Sequence, residues 1–205
     1  MKTIDRIIFA TGNKNKVREI NEILEGFSIP VESMKDAGIE TDIVEDGKTF
    51  EENSLIKARS IWKISGGLVL ADDSGLEVDA LGGEPGIYSA RYMGEDTSYH
   101  IKNNAIIDRL EGVPDEKRTA RFVCAVAAVF PDGSEKVVRG VMEGRIGYAE
   151  HGENGFGYDP IFILPKYGKT TSELPPEVKN EESHRGKALR AMKELIEEYE
   201  NTGSK

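Results

Sequence analysis

The stretch TARFVCAVAAVFPDGSEKVVRGVMEGRIG, residues 119–147, decides the fold class of this sequence. Both of its halves are rich in apolar and β-branched residues, which favour strands. Between them, the segment Pro131–Ser134 has the composition of a tight turn. The stretch therefore predicts two long strands that pair as an antiparallel hairpin.

Upstream of this hairpin, strand patterns alternate with helical ones. Residues 6–10 predict a strand, and residues 14–26 predict a helix with Val17, Ile20 and Leu24 at helical spacing. A second helix begins after Thr49, which forms a capping box with Glu52, and it extends to about residue 65. Its apolar stripe consists of Leu55, Ala58 and Trp62. GLVLA, residues 67–71, predicts the next strand.

The remaining segments continue this alternation. Thr97 is the expected cap of a third helix that runs to about residue 110, and residues 160–164 predict a strand. A last helix follows Ser183, and its apolar face consists of Ala188, Met192, Leu195 and Tyr199. Strands and helices that alternate, together with a long hairpin, predict an α/β protein with a mixed sheet.

Length and composition limit the possible classes of protein. A chain of 205 residues suits a single domain, here 1–205, or one domain with a second lobe. The formal net charge of −10 argues against broad nucleic-acid binding, whereas a small anionic ligand needs only a few local cations. No apolar stretch approaches the roughly 20 residues of a membrane span, and the N-terminus lacks a signal-peptide layout. We expect no membrane and, with Cys124 as the one cysteine, a reducing cytoplasm.

Two adjacent carboxylates, Asp72 and Asp73, follow the apolar run of residues 67–71. Two like charges at the expected end of a strand are costly unless they are solvated, hydrogen-bonded or bound to a cation. Alternation along a strand points the two side chains to opposite sides, so one can bind Mg²⁺ while the other activates a water. The alternative is that one of them caps a turn at Ser74 and Gly75.

Cations accompany the first helix. The segment Thr11–Asn13 joins a strand to a helix that carries Lys14, Lys16 and Arg18, an arrangement suited to a phosphate. Neither standard nucleotide fingerprint is present, and the alternative is that Asn13 caps the helix while the lysines are solvated.

An acidic loop precedes the second helix. Glu45 and Asp46 lie in this loop, and Lys57 lies about two turns into the helix. Such a loop is often solvated or stabilises the helix dipole, so this pattern alone does not identify a site.

The segment GENGFGYDP, residues 152–160, favours binding of a flat ring. Glycines on both sides of Phe156 leave its face open, and Asp159 can accept from a ring N–H or a sugar hydroxyl. In the first turn of the last helix, His184 and Arg185 are unfavourable cations that suggest a nearby anion or acceptor. Ligand spacing for zinc and a serine or cysteine nucleophile motif are both missing.

Five ordered segments together resemble the inosine triphosphate pyrophosphatase family: TGNKNK, EDGKTFEENSLIKA, ADDSGLEVDALGGEPGIYSARY, GFGYDPIF and SHRGKAL. The resemblance spans about Ile7 to Leu195. It implies a Mg²⁺-dependent, homodimeric, cytoplasmic hydrolase with an elongated mixed sheet and two lobes around a central cleft. The implied reaction cleaves the α-β phosphoanhydride of ITP, dITP or XTP and releases the monophosphate and pyrophosphate.

The resemblance also implies roles for individual residues. Glu45 resembles the metal-binding glutamate, Asp73 the metal ligand that accepts a proton, and Asp72 an assisting residue. Ser74 resembles a substrate contact. The implied phosphate-binding residues are Thr11, Gly12, Asn13, Lys14, Asn15, Lys16 and Lys57. The implied base-binding residues are Phe156, Gly157, Tyr158 and Asp159, with Lys179, His184 and Arg185 at the purine 6-oxo edge.

Several alternatives stay open at this level. Either Glu45 or Asp46 can face the metal, and either Asp72 or Asp73 can ligate it. A related pyrophosphatase that prefers modified pyrimidines would use the same carboxylates with a different base pocket. A nucleotide sensor without catalysis is a third possibility, although two acidic clusters favour water activation over simple binding.

Overall fold

A computed structural model describes residues 4–202 of the chain as an α/β protein with a mixed sheet. The strands are β1 (Ile7–Phe9), β2 (Val31–Ser33), β3 (Leu68–Val78), β4 (Thr119–Val129), β5 (Glu135–Ile146), β6 (Phe162–Leu164) and β7 (Lys169–Thr170). The helices are α1 (Lys14–Ile23), α2 (Phe50–Ser65), α3 (Tyr99–Arg109), α4 (Pro176–Glu182) and α5 (His184–Thr202).

The order of the strands in the sheet is β2-β1-β3-β4-β5-β6-β7. Strand β1 pairs in parallel with β2 and β3, whereas β6 pairs antiparallel with β5 and β7. The predicted mixed sheet is therefore confirmed. The predicted hairpin is confirmed as well, because β4 and β5 are neighbours and the N–H of Phe130 donates to the Ser134 carbonyl across the turn at 2.9 Å.

The chain divides into two compact units. Unit 1 contains residues 1–73, 124–140 and 185–205, and unit 2 contains residues 74–123 and 141–184. Strands β3, β4 and β5 contribute residues to both units. The single-domain organisation and the cleft implied by the resemblance stay predictions.

In unit 1, the two faces of the sheet pack against different helices. Leu68 and Leu70 of β3 belong to a buried cluster with residues of α1 and α5. Val69 and Ala71, which alternate with them, belong to a cluster with Ala58 and Ile61 of α2. The predicted apolar face of α5 is confirmed, because Ala188 and Met192 are buried in the first cluster and Leu195 and Tyr199 pack against it.

In unit 2, the core lies between α3 and the strands β4 to β6. It includes Ile106 of α3, Phe122 of β4, Ile146 of β5 and Phe162 of β6. The buried guanidinium of Arg118 satisfies three carbonyls that this packing removes from water. They belong to Leu110, Ile146 and Gly147, at 2.6–2.9 Å.

The prediction that a strand ends at Ala71 is wrong. Strand β3 continues to Val78, so Asp72 and Asp73 lie in its interior, and the alternative of a turn at Ser74 and Gly75 is wrong too. Charges normally mark the end of a buried strand, but here side chains from neighbouring helices pair with both carboxylates. The strand therefore continues through two charged positions.

Smaller differences concern caps and short elements. Ser98, rather than Thr97, caps α3, and the Thr97 hydroxyl donates to the Met93 carbonyl instead. The sequence analysis did not identify β2, β7 or α4, which have three, two and seven residues. Among residues 4–202, no helix is both long enough and apolar enough to cross a membrane.

Candidate active site

The two adjacent carboxylates of β3 lie on opposite faces of unit 1. Asp72 continues the alternation of Leu68 and Leu70 toward α1 and α5, and Asp73 continues that of Val69 and Ala71 toward α2. Both are buried, with 1% and 8% of their surface exposed. The prediction that they point to opposite sides is confirmed by their separate partners.

Asp72 pairs with two cations. Its Oδ2 lies 3.0 Å from Nζ of Lys16 and 3.2 Å from Nη2 of Arg185. Burial alone would raise the pKa of this carboxyl, but the charges of Lys16 and Arg185 outweigh burial and hold the pKa well below its ordinary value of 3.8. Asp72 is therefore held in its ionised form by these two cations.

Arg185 extends this pairing into a buried network. Its Nη1 donates to Oε2 of Glu19 on α1 at 2.5 Å, while Nε and Nη2 donate to Asp72. Burial would lower the pKa of the guanidinium, but Asp72 and Glu19 outweigh it and raise the pKa. The anions suggested by a cation in the first turn of α5 are thus the protein's own carboxylates. The role of Arg185 at the purine edge stays a prediction.

Glu19 was not identified from the sequence. The signal that was available is its spacing: Lys16 and Glu19 are three residues apart on α1, so they share one face of the helix. Glu19 is also next to Ile20, which belongs to the apolar stripe of the helix. Both residues are buried, and a buried carboxylate without a partner is energetically costly. A buried acidic residue at that position predicts a cationic partner.

Asp73 lies in a different environment. Its Oδ2 accepts a hydrogen bond from Nδ2 of Asn53 at 3.1 Å, and its Oδ1 lies 3.6 Å from Nζ of Lys57. Burial raises the pKa of this carboxyl, and the charge of Lys57 and the hydrogen bond from Asn53 only partly oppose it, so the net shift is upward. A carboxylate with a raised pKa is a better proton acceptor than its neighbour.

Lys57 connects Asp73 to the acidic loop. Its Nζ lies 2.5 Å from Oε2 of Glu45, whereas the neighbouring Asp46 is exposed. Burial would lower the pKa of Lys57, but Asp73, Asp72 and Glu45 outweigh it and raise the pKa, so the ammonium stays charged. Of the two candidate carboxylates in the loop, the fold brings Glu45 toward Asp73.

Asn53 holds the acidic loop and Asp73 together, and the sequence analysis did not identify it. Its Oδ1 accepts from the N–H of Gly47 at 2.9 Å, which orients the amide so that Nδ2 faces Asp73. A Cβ at Gly47 would lie 2.6 Å from Oδ1 of Asn53, so only glycine allows this close approach.

The donor set suits a hard divalent cation. Glu45 and Asp73 both contact the same ammonium and supply carboxylate oxygens, and Mg²⁺ is usually held by one or two carboxylates together with waters and phosphates. Within residues 4–202 the acidic and histidine side chains do not form a ready three-ligand cluster. Asp72 lies on the other face, and its Oδ2 is occupied by cations, so Glu45 and Asp73 are the better-placed pair.

The turn before α1 confirms the predicted helix cap but not the solvation of both lysines. Oδ1 of Asn13 caps the helix by accepting from the N–H groups of Asn15 and Lys16 at 3.0 and 3.2 Å. Lys14 is exposed, but Lys16 is not merely solvated, because its ammonium reaches Asp72. The structure therefore brings Lys16 alone of these lysines to the acidic centre. The phosphate-binding role of the segment stays a prediction.

The candidate base-binding residues of unit 2 surround Asp159. Its Oδ2 accepts from the Phe156 N–H at 2.8 Å and from Nζ of Lys179 at 2.6 Å, and its Oδ1 accepts from the Thr171 hydroxyl at 2.8 Å. The Lys179 ammonium lies 5.2 Å from the centre of the Phe156 ring. Phe156, Asp159 and Lys179 are thus together, as predicted, but both Asp159 oxygens already bind protein donors.

Other predicted residues occupy supporting positions. The His184 ring stacks on Phe122 with 4.9 Å between ring centres, and the Tyr158 hydroxyl donates to the Ser89 carbonyl at 2.7 Å. Ser74 follows Asp73 in β3 and is half-buried.

The one cysteine, Cys124, is buried beside Asp72, with 3.9 Å between its Sγ and Oδ2 of Asp72. Burial together with that charge raises the pKa of its thiol to about 12, which leaves it unreactive.

These features define the class of protein: an α/β protein with a mixed sheet and a buried carboxylate centre paired with lysine and arginine. The chain belongs to the Ham1 family, whose sequence model matches residues 7–195. This match confirms the resemblance found in the sequence.

Relatives with similar sequences cover nearly the whole chain. A dITP/XTP pyrophosphatase of Caldanaerobacter subterraneus is 50% identical over 192 residues, which are 93% of this chain and 96% of the relative. A dITP/XTP pyrophosphatase of Bacillus cereus is 45% identical over 201 residues, covering 97% and 98%.

Solved structures agree with the fold. The Staphylococcus aureus Ham1 protein has a TM-score of 0.85 and 39% identity, covering 95% of this chain and 99% of its own. A nucleoside-triphosphatase, or dITP/XTP pyrophosphatase, from Mycobacterium abscessus has a TM-score of 0.73 and 42% identity, covering 91% and 98%.

Proposed function

We propose that the protein hydrolyses non-canonical purine nucleoside triphosphates, dITP, XTP and ITP, to the monophosphate and pyrophosphate. The observation that carries the proposal is the pair of buried carboxylates in β3, one kept ionised by Lys16 and Arg185, the other with a raised pKa beside Lys57. The names of relatives that are 45–50% identical over almost the whole chain, dITP/XTP pyrophosphatase, support dITP and XTP as substrates.

In this proposal Asp73 is the general base. Asn53 holds its Oδ2, and Oδ1 accepts the proton of the attacking water. The bond that breaks is the phosphoanhydride between the α- and β-phosphates, and the leaving group is pyrophosphate. Asp72 does not take part in proton transfer, because a carboxyl held well below its ordinary pKa is too weak a base.

The charges of the centre explain why a metal is needed. Lys16, Lys57 and Arg185 are already paired with Asp72, Asp73, Glu45 and Glu19. A triphosphate adds about four negative charges, which these three cations cannot neutralise as well. We propose that Glu45 and Asp73 hold Mg²⁺, which when bound neutralises phosphate charge and lowers the pKa of a coordinated water. Asp72 holds Lys16 and Arg185 in place beside this centre.

The base would be selected by the residues of unit 2. We propose that Phe156 stacks on the purine and that Lys179 and His184 contribute donors to its 6-oxo edge. Against the 6-amino group of adenine, such a donor stays unpaired in a buried site. An unpaired buried donor can supply discrimination on the order of 10⁴-fold. The homodimer and the cytoplasmic location implied by the resemblance belong to this proposal too.

The test is a panel of ITP, XTP, dITP, ATP, GTP and dUTP with Mg²⁺, in which the products are identified by ion-exchange chromatography. We expect pyrophosphate and the monophosphate from dITP, XTP and ITP, and little turnover of the others. Orthophosphate with a diphosphate would contradict the reaction. Equal rates on ATP and ITP would contradict the specificity, and preference for dUTP would favour a pyrimidine pyrophosphatase.

A further inference from the structure

We infer that Asn103, in the middle of α3, is a positioning residue that holds the backbone of the base segment, Phe156–Asp159. The inference rests on the proposed role of that segment in binding the purine. It concerns unit 2 alone, and none of the residues assigned to the metal or to proton transfer is involved.

The amide of Asn103 is buried and binds two acceptors. Only 1% of the residue is exposed, and its Nδ2 donates to the Gly157 carbonyl at 3.2 Å and to Oε1 of Glu150 at 2.6 Å. The orientation of the amide follows from these partners, because the opposite orientation would place its oxygen against two other acceptors.

The other end of the same amide has no hydrogen-bond partner. Oδ1 of Asn103 is a buried acceptor without a donor in the part of the chain that the structure describes. An acceptor left this way costs about 1–3 kcal/mol, but an apolar side chain of similar size would take the donor away from the Gly157 carbonyl and from Glu150. The use of asparagine here therefore lies in the two acceptors that its Nδ2 holds.

That use lies in the turn that presents Phe156. On one side, the Phe156 N–H donates to Oδ2 of Asp159 at 2.8 Å; on the other, the Gly157 carbonyl accepts from Asn103. Gly157 has a φ of +70°, a left-handed conformation that glycine adopts at little cost, and its carbonyl belongs to the peptide that joins it to Tyr158. Asn103 therefore holds the peptide between Gly157 and Tyr158, directly after the two peptide groups that flank Phe156, and so fixes the path of the base segment behind the ring.

Two further contacts support the same role. Tyr99, one helical turn before Asn103, lies close to Gly157: a Cβ there would be 3.6 Å from its ring. Glu150 accepts from Asn103 with Oε1, and its Oε2 lies 2.5 Å from Nδ1 of His100. Glu150 therefore links the Asn103 amide to the His100 ring of the same helix. Helix α3 thus supports the base segment through a ring contact and a hydrogen bond.

The test compares Asn103→Leu with Asn104→Ala in the full-length enzyme. Asn104 is the matched control, since its side-chain amide donates to the His100 carbonyl of its own helix at 2.8 Å. For Asn103→Leu we expect KM for dITP to rise about tenfold with kcat within about twofold, and the preference for dITP over dATP to fall by a similar factor. Binding of dIMP to the metal-free protein, measured by calorimetry, weakens in parallel. The control keeps wild-type values.

The results separate the inference from the proposed function. If the wild-type enzyme neither hydrolyses dITP nor binds dIMP, the proposed function fails. If it does both and Asn103→Leu has the same KM, selectivity and dIMP affinity, the inference is overturned. Where Asn103→Leu fails to fold, Asn103→Ala takes its place. If that variant also lacks a cooperative unfolding transition, the amide serves folding, and the positioning role is equally overturned.

Discussion

On one face of β3, Asp72 lies between Lys16 and Arg185; on the other face, one residue further along the strand, Asp73 lies beside Lys57 and Asn53. Both carboxyls are buried, so burial raises the pKa of each, but only at Asp72 do the nearby cations outweigh it. Two residues of the same type, adjacent in sequence, thus have pKa values shifted in opposite directions, as expected for the fixed anion and the proton acceptor that we propose. The pleat of one strand is sufficient to separate these roles.

The largest expected effect concerns the proton acceptor. Asp73→Asn removes the proposed base, and we expect kcat for dITP to fall about 10³-fold, while nucleotide binding stays measurable. The thermal midpoint of the metal-free variant should stay the same or rise slightly, because a buried group whose ionised form is disfavoured is replaced by a neutral one. Steady-state kinetics and differential scanning calorimetry measure the two effects. Full activity in this variant would show that Asp73 is not the base.

Next in size is the effect on the fixed anion. Asp72→Asn removes the charged partner of Lys16 and one of the two carboxylates that pair with Arg185, and we expect unit 1 to lose about 3 kcal/mol of unfolding free energy. Urea unfolding followed by the fluorescence of Trp62, the one tryptophan, reports on unit 1. The exposed Asp42→Asn provides the control and should leave the midpoint in place. An equally stable Asp72→Asn would show that the buried network is not structural.

The acidic loop offers a matched pair on the Asp73 face. Glu45 contacts Lys57, whereas its neighbour Asp46 is exposed. We expect Glu45→Gln to lower kcat/KM about 10- to 100-fold and to weaken Mg²⁺ binding, since a proposed ligand loses its charge. Asp46→Asn should change neither quantity. Titration of Mg²⁺ by calorimetry, beside the kinetics, decides the comparison, and equal losses in both variants would contradict the assignment.

The smallest effect is the dependence of stability on pH, which has opposite signs for the two carboxyls. The pKa of Asp72 is lowered in the fold, so its contribution is present above its unfolded-state pKa of about 4 and is lost as pH falls through the folded value. The pKa of Asp73 is raised, so its ionisation costs stability as pH rises from about 4 through the folded value. Asp72→Asn should therefore flatten the loss of stability in acid, by at most about 1.4 kcal/mol per pH unit.

For Asp73→Asn the sign is reversed. Stability should rise more steeply with pH above about 4 than in the wild type, because the ionisation of Asp73 no longer opposes the rise. Urea midpoints between pH 3 and 6, followed through Trp62, measure both slopes. If stability depends on pH with equal slopes in the two variants, the two carboxyls do not have opposite pKa shifts, and the assignment is contradicted.

Much of the fold was predictable from local patterns. The hairpin of β4 and β5 and the apolar face of α5 follow from periodicity over more than ten residues. Strands β2 and β7 have three and two residues, too few to show a period, and α4 begins with a proline after another proline. The length of β3 was missed because two charges in a buried strand are tolerated only through partners that are distant in sequence.

The candidate site was predictable in its residue types but not in its pairings. The carboxylates and lysines of unit 1 were identified, yet Glu19, Asn53 and Asn103 were not, since a polar residue on a helix is exposed by default. Each of the three is buried because tertiary packing places a charge or a backbone group beside it. The same packing directs Arg185 onto Asp72 and Glu19. Such contacts lie up to 166 residues apart and leave no local pattern.

The most direct test of the different roles proposed for Asp72 and Asp73 is to measure the pKa values of the two carboxyls in the metal-free protein. Carboxyl-carbon NMR titration, with assignments from Asp72→Asn and Asp73→Asn, follows each group separately. We expect Asp72 to titrate well below the ordinary value of 3.8 and Asp73 above it. Titration of both groups near 3.8, or Asp72 above Asp73, would contradict the assignment of one as a fixed anion and the other as the proton acceptor.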